Sequence, residues 1–180
     1  MFRKFISLID TKDSFLELCW VQKINGLVRV AIFDEVDSRA FVVVFIEKQN
    51  QYSLIAFDTT NGKIQWTSIV RNGGYGSPAL IEDTVVFPTN FTNIVAFSKL
   101  NGELKWEFET KCRIRSPINI IEDSIYFSSG NEIFALNPKG QLVNKWEKEG
   151  AFFYGTIDII NGMIISLGTF ENDKGESTVK

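Results

Sequence analysis

The chain has 180 residues, 44% hydrophobic and 23% charged, which suits one packed domain or one repeat array and is too apolar for intrinsic disorder. A net charge of −3 and an isoelectric point near 5.1 argue against a broad nucleic-acid-binding surface. Histidine is absent, which excludes Ser-His-Asp and Cys-His nucleophiles, histidine metal ligands and histidine bases, and two cysteines, Cys19 and Cys112, are too few for a disulfide framework or a four-thiolate zinc site.

Residues 1–27 form an N-terminal segment. Arg3 and Lys4 precede an apolar run of only Phe5 to Ile9, closed by Asp10 and Lys12. That run is shorter than the roughly 7–15 residues of a secretory core. No stretch approaches the ~20 apolar residues of a membrane span. The expectation is a cytoplasmic protein with reduced thiols and no membrane span. Two readings of the segment stay open. Phe5–Ile9 and Phe15–Trp20 are two strands that close the last repeat unit, or Ser14-x-x-Glu17 caps a helix that Gly26 stops.

From residue 28 onward short β-branched and aromatic runs alternate with turn residues. Residues 28–70 hold four: Val28–Phe33, Phe41–Ile46, Leu54–Phe57 and Ile64–Thr67. Residues 71–110 hold Ala79–Ile81, Val85–Phe87, Ile94–Phe97 and Leu104–Phe108. Residues 111–150 repeat the pattern as far as Trp146. Residues 151–180 hold Thr156–Ile160 and Met163–Leu167, with Thr178 where a third strand would begin. Asn61-Gly62 and Asn101-Gly102 read as tight hairpin turns with φ > 0 at both central positions. Glu82-Asp83 and Glu122-Asp123 mark further tight turns.

The tryptophans give the period. Trp66, Trp106 and Trp146 are spaced by 40 and 40, and Trp20 precedes Trp66 by 46. Ala56-Phe57-Asp58, Ala96-Phe97-Ser98 and Ala135-Leu136-Asn137 keep the same phase, followed by Gly62, Gly102 and Gly140. Ser77-Pro78, Ser116-Pro117 and Gly155-Thr156 recur at spacings of 39. Four short strands per 40 residues is the signature of a propeller blade. The sequence therefore predicts an all-β fold, an array of about four β-propeller blades made of four-stranded antiparallel sheets. Each indole would cover the seam between neighbouring blades, and each glycine would supply left-handed backbone.

Ala56-x-Asp58-x-x-Asn61-Gly62-x-x-x-Trp66 resembles the tryptophan-docking repeat of the pyrroloquinoline-quinone (PQQ)-type β-propellers, and 96–106 and 135–146 are similar to it. The resemblance covers about residues 28–169 and assigns a structural docking role to Trp20, Trp66, Trp106 and Trp146 with Gly62, Gly102 and Gly140. It implies that eight blades are common in the family. Three architectures stay open: a piece of a longer propeller, half of a ring made by two chains, or four blades closed alone. The family's quinone dehydrogenases have an adjacent Cys-Cys pair and a Ca²⁺ site. Cys19 and Cys112 are far apart here. The expectation is no catalytic residue, no cofactor and no metal.

Other motifs carry little. Gly73-Gly74-Tyr75-Gly76 lacks the Lys-Ser/Thr of a phosphate loop and reads as an inter-blade turn. Asn90-Phe91-Thr92 fits a glycosylation pattern that a cytoplasmic chain would not use. Asn172 to Glu176 resembles a fragment of a Ca²⁺ loop but lacks its alternating carboxylates.

Strand order sorts the loops. One rim collects Glu35, Asp37, Asp58, Glu82, Asp83, Glu122 and Asp123. The other collects Arg71, Tyr75, Phe91, Lys111, Arg113, Arg115, Phe152, Phe153 and Tyr154, a candidate partner-binding rim of basic and aromatic loop residues. The expected partner is a protein or a second copy of the chain. The expected function is a non-catalytic interaction module, either a scaffold or a target-neutralising, immunity-type protein. The alternatives are a quinone-dependent dehydrogenase or sensor fragment, and a propeller like the outer-membrane assembly scaffolds.

Overall fold

A computed structural model describes residues 4–10, 17–71, 76–89, 91–171 and 177–179. The chain forms two compact units, Met1–Gly73 and Gly74–Lys180.

In the first unit β1 (Lys4–Asp10) pairs with β2 (Glu17–Ile24) as a two-stranded antiparallel sheet. Strand, not helix, is therefore the conformation of residues 17–24. A four-stranded meander comes next, with β3 (Leu27–Asp34), β4 (Arg39–Ile46), β5 (Gln51–Asp58) and β6 (Ile64–Val70) in spatial order. One 3-10 turn, Glu47–Gln49, separates β4 from β5.

In the second unit β7 (Ala79–Ile81), β8 (Thr84–Pro88), β9 (Asn93–Ser98) and β10 (Leu104–Glu109) form one meander. A second comprises β11 (Asn119–Ile121), β12 (Ser124–Ser129), β13 (Glu132–Leu136) and β14 (Leu142–Glu147). A third sheet holds β15 (Ala151–Ile160), β16 (Met163–Glu171) and β17 (Ser177–Val179). The fold is all-β, a partial propeller of short antiparallel meanders.

Inner strands are apolar on both faces, so they are covered on both faces. Residues Ala40 to Val44 of β4 and the whole of β8 are buried. The core of the second unit lies between its first two sheets. Ile94 and Ala96 on one side meet Phe127 and Phe134 on the other. Phe127 and Phe134 stack at 5.1 Å, and the ring of Phe108 stands steeply inclined to both, in T-shaped contacts at 6.1 and 5.8 Å.

The turns differ in one respect from the sequence expectation. Asn61-Gly62 is not a two-residue turn. Asp58 N donates to Lys63 O, and Gly62 N donates back to Asp58 O at 2.8 Å, so the loop is longer and only its glycine (φ 71°) is left-handed. Paired positive φ occurs instead at Glu122-Asp123 (47° and 58°) and Asn161-Gly162 (53° and 75°), between first and second strands. Within a meander the loops after the first and third strands lie side by side, since Thr59 N donates to Ser38 O and Lys99 N to Asp83 O.

The acidic residue of the repeat organises its loop. Asp58 accepts hydrogen bonds from the Thr60 hydroxyl, Thr60 N (2.8 Å) and the Asn61 amide (3.0 Å). Ser98 and Asn137 do the same for Leu100 N and Lys139 N. The Thr60 hydroxyl first, then Thr60 N, hold the Asp58 carboxyl below its ordinary 3.8. A lowered folded pKa contributes stability above the ordinary value, lost as pH falls through the lowered one. The stability difference between wild type and Asp58→Ala is therefore constant from neutral pH down to about 5 and shrinks below 3.8, read from urea unfolding across pH.

Candidate functional site

Docked indoles tie neighbouring sheets together within each unit. In the first unit Trp20 Nε1 donates to Thr59 O at 2.7 Å, and in the second Trp106 Nε1 donates to Pro138 O at 2.9 Å. Each indole thus caps the third-to-fourth-strand loop of the following sheet. The glycine of that loop lies beneath the ring. A Cβ on Gly62 would sit 2.6 Å from the Trp20 ring, and one on Gly140 would clash still harder with the Trp106 ring. Glycine here supplies left-handed backbone and also a flat floor for the indole.

Register fixes which residue docks. Trp20, Trp66 and Trp106 stand opposite Leu8, Ala56 and Ala96, each beside a β-bulge. The third repeat differs. Asn144 stands opposite Ala135, and Trp146 lies two residues further, opposite Ile133. Trp146 does not occupy the docking position that its spacing suggests. It stacks on Tyr126 at 6.4 Å and is 36% exposed.

The rim residues are built by the segment joining β10 to β11. Thr110 N and its hydroxyl both donate to Thr92 O, at 2.7 and 2.8 Å. The Ser129 hydroxyl donates to Cys112 O at 2.6 Å. Ile114 N donates to Phe91 O, and Ile114 bridges to Ser129 as an isolated antiparallel pair. Ser128 N donates to the Ser116 hydroxyl at 2.7 Å. Thr110, Ser116, Ser128 and Ser129 are buried, so these bonds act away from competing water. They turn Ile114 inward and leave Lys111, Arg113 and Arg115 exposed. Sequence reasoning did not single out this Ser/Thr clamp. Its one visible signal was Ser116-Pro117, in phase with Ser77-Pro78.

Arg113 and Arg115 border an open cleft of about 420 Å³, with Pro88, Thr89 and Ser116 on its other sides. The Arg115 guanidinium lies over the ring of Phe152 at 5.3 Å. Phe91, 58% exposed, stands on the same rim. Phe152, Phe153 and Tyr154 are not loop residues. They belong to β15, which runs through Gly155 and is irregular between Phe153 and Ile157. Phe152 and Tyr154 are exposed and Phe153 is half-buried, its N–H bonded to Gly130 O at 2.9 Å. Arg71 is exposed after β6 in the first unit. Tyr75, with residues 72–74, Asn90 and 172–176, lies outside the described residues.

Two guanidinium forks beside an aromatic ring can hold carboxylates; they supply no nucleophile and base. Among the described residues no group of three His, Cys, Asp or Glu side chains could hold a metal ion. Cys112 is exposed and free. No helix among the described residues is long and apolar enough to cross a membrane.

Comparison with known proteins agrees with the repeat. No curated protein matches the sequence. Among solved structures, BamB from Moraxella catarrhalis is similar at 16% identity and a TM-score of 0.71, over 91% of this chain and 56% of that one. A europium-containing methanol dehydrogenase is similar at 11% identity and a TM-score of 0.65, over 98% and 47%. The computationally designed Ika4 protein is similar at 8% identity and a TM-score of 0.58, over 87% and 92%. The chain thus spans about half the length of the first two. The family model described as outer membrane protein assembly factor BamB matches residues 19–158, and with the PQQ-type repeat and docked indoles on which that match falls, the chain belongs to this propeller family.

Proposed function

We propose that the chain is a non-catalytic protein-interaction module whose Arg113–Arg115 rim docks an acidic protein partner. The observation that carries this is the cleft bordered by both arginines, with Arg115 stacked on Phe152. Arginine and aromatic side chains at a rigid rim are the types that dominate binding hot spots. The buried Ser/Thr clamp beneath them reduces the ordering cost of binding. Family membership favours a scaffold role. A cytoplasmic, target-neutralising protein would use the same rim toward one target.

The methanol dehydrogenase likeness supports a second reading, a quinone-dependent enzyme fragment. The absence of adjacent cysteines weighs against it.

Poly-L-glutamate at low salt serves as the acidic probe. Charge reversal at Arg113→Glu and Arg115→Glu together is expected to weaken its binding about tenfold or more, while the melting temperature holds. Unchanged affinity contradicts the rim assignment. Quinone with Ca²⁺ is expected to leave the melting temperature of wild type unmoved; a rise favours the enzyme reading.

A further inference from the structure

The link from β10 to β11 holds two cations at a set spacing. Arg113 and Arg115 are exposed, while Ile114 between them is only 6% exposed. Ile114 is bridged antiparallel to Ser129, and its N–H donates to Phe91 O at 2.9 Å. The three residues thus alternate as in a strand. Both arginine side chains leave on one face, about 6.6 Å apart along the backbone.

Neither charge is neutralised. Among the described residues no carboxylate lies within ion-pair distance of Arg113 or Arg115. The Phe152 ring under the Arg115 guanidinium restrains it and leaves its N–H groups to bond elsewhere. The cleft beside them is lined from the β7–β10 sheet by Pro88 and Thr89, and from the link to β11 by Ile114 and Ser116. The Thr89 hydroxyl already donates to Asn93 O at 3.1 Å. Ser116 is 2% exposed, and its hydroxyl accepts from Ser128 N at 2.7 Å. Among the described residues no acceptor takes the Ser116 hydroxyl proton. No side chain lining the cleft is acidic. The group that fits such a lining only accepts hydrogen bonds, and on a protein that group is a carboxylate.

We propose, on the reading that this rim docks an acidic protein, that the docked segment is extended and carries two carboxylates separated by one residue, one for each arginine. In an extended chain, side chains two apart share a face and repeat at about 6.6 Å, which is the repeat of the two arginines. Adjacent carboxylates point to opposite faces, so only one reaches the rim. Carboxylates four apart lie about 13 Å from each other in an extended chain. They come together only in a helix, which a short unsupported segment forms poorly in water.

End-blocked octapeptides of glycine and serine with two glutamates serve as probes of the full chain, followed by ¹⁵N NMR titration at low salt. Glutamates two apart are expected to bind about fivefold or more tighter than glutamates adjacent or four apart, because two charge-assisted contacts form instead of one. Arg113→Gln, at an exposed site, is expected to hold the melting temperature and erase this preference, so that the three peptides bind alike. A preference that survives Arg113→Gln overturns the proposal. So does displacement of the two-apart peptide by inorganic phosphate at equal concentration, which assigns the cleft to one compact anion. Equal affinity of the wild type for all three peptides overturns it too. In that case, if charge reversal of both arginines still weakens poly-L-glutamate binding, the acidic-partner reading stands alone. If charge reversal leaves poly-L-glutamate binding unchanged, both fall.

Discussion

Replacing Trp106 with alanine is expected to cost about 3 kcal/mol of unfolding free energy, read from the shift in urea midpoint at constant slope. The figure sits at the low end for a buried tryptophan because the indole is only partly buried. Two losses add. The ring leaves the floor formed by Gly140, and Pro138 O loses the donor held at 2.9 Å. Trp106→Phe keeps most of the ring and loses only the N–H, at a cost of about 1 kcal/mol. The partner glycine sharpens the test. Gly140 has φ 77°, and its Cβ would collide with the indole, so Gly140→Ala strains the backbone and displaces the ring. Gly162 has nearly the same φ, 75°, with nothing within 4 Å of the added carbon. Gly162→Ala should therefore cost only the left-handed strain of about 1–2 kcal/mol, and Gly140→Ala should cost more. With Trp106 already removed, Gly140→Ala should fall to the Gly162 value. That non-additivity, about 1 kcal/mol or more, would measure docking itself.

Phe127→Ala is expected to be at least as damaging, about 4 kcal/mol. Phe127 is fully buried, stacked on Phe134, and in T-shaped contact with Phe108 from the preceding sheet. Its removal leaves a cavity between two sheets and takes a partner from a residue of each. Stabilities of single domains run about 5–15 kcal/mol, so this one substitution removes a large fraction. The urea midpoint should drop steeply, and near-ultraviolet dichroism from the aromatic cluster should weaken even where the chain is still folded.

From residue 28 onward strand order was legible in the sequence, because short apolar runs bounded by Gly, Asn and Asp leave few other readings, whereas residues 14–25 stayed open between strand and helix. Ala79–Ile81 is a strand in both the sequence reading and the structure. Register was not legible. The spacing of 40 places Trp146 in phase with Trp106, but the loop before β14 has one residue fewer between its flanking pairs. Leu136 pairs with Leu142, and the docking place falls to Asn144. Hydrogen-bond register is set by the turn, whereas spacing counts residues. Phe152 to Tyr154 were misplaced for a related reason. Gly155-Thr156 reads as the start of the last repeat unit, but β15 begins at Ala151 and runs through Gly155, where a Cβ would meet Leu167 at 2.5 Å, a close approach only glycine permits. The pairing of Arg115 with Phe152 depends on that continuation, so the site could be read as a list of rim residues and not as a cleft.

Hydrogen exchange at the indole N–H groups, followed by ¹⁵N NMR, tests most directly whether each indole is locked on the next sheet's loop. Trp20 and Trp106, bonded to Thr59 O and Pro138 O, should exchange far more slowly than free indole. Gly140→Val should release Trp106 and leave Trp20 slow. Exchange of both at the free-indole rate, or equal acceleration of both by Gly140→Val, would contradict docking as what joins these sheets.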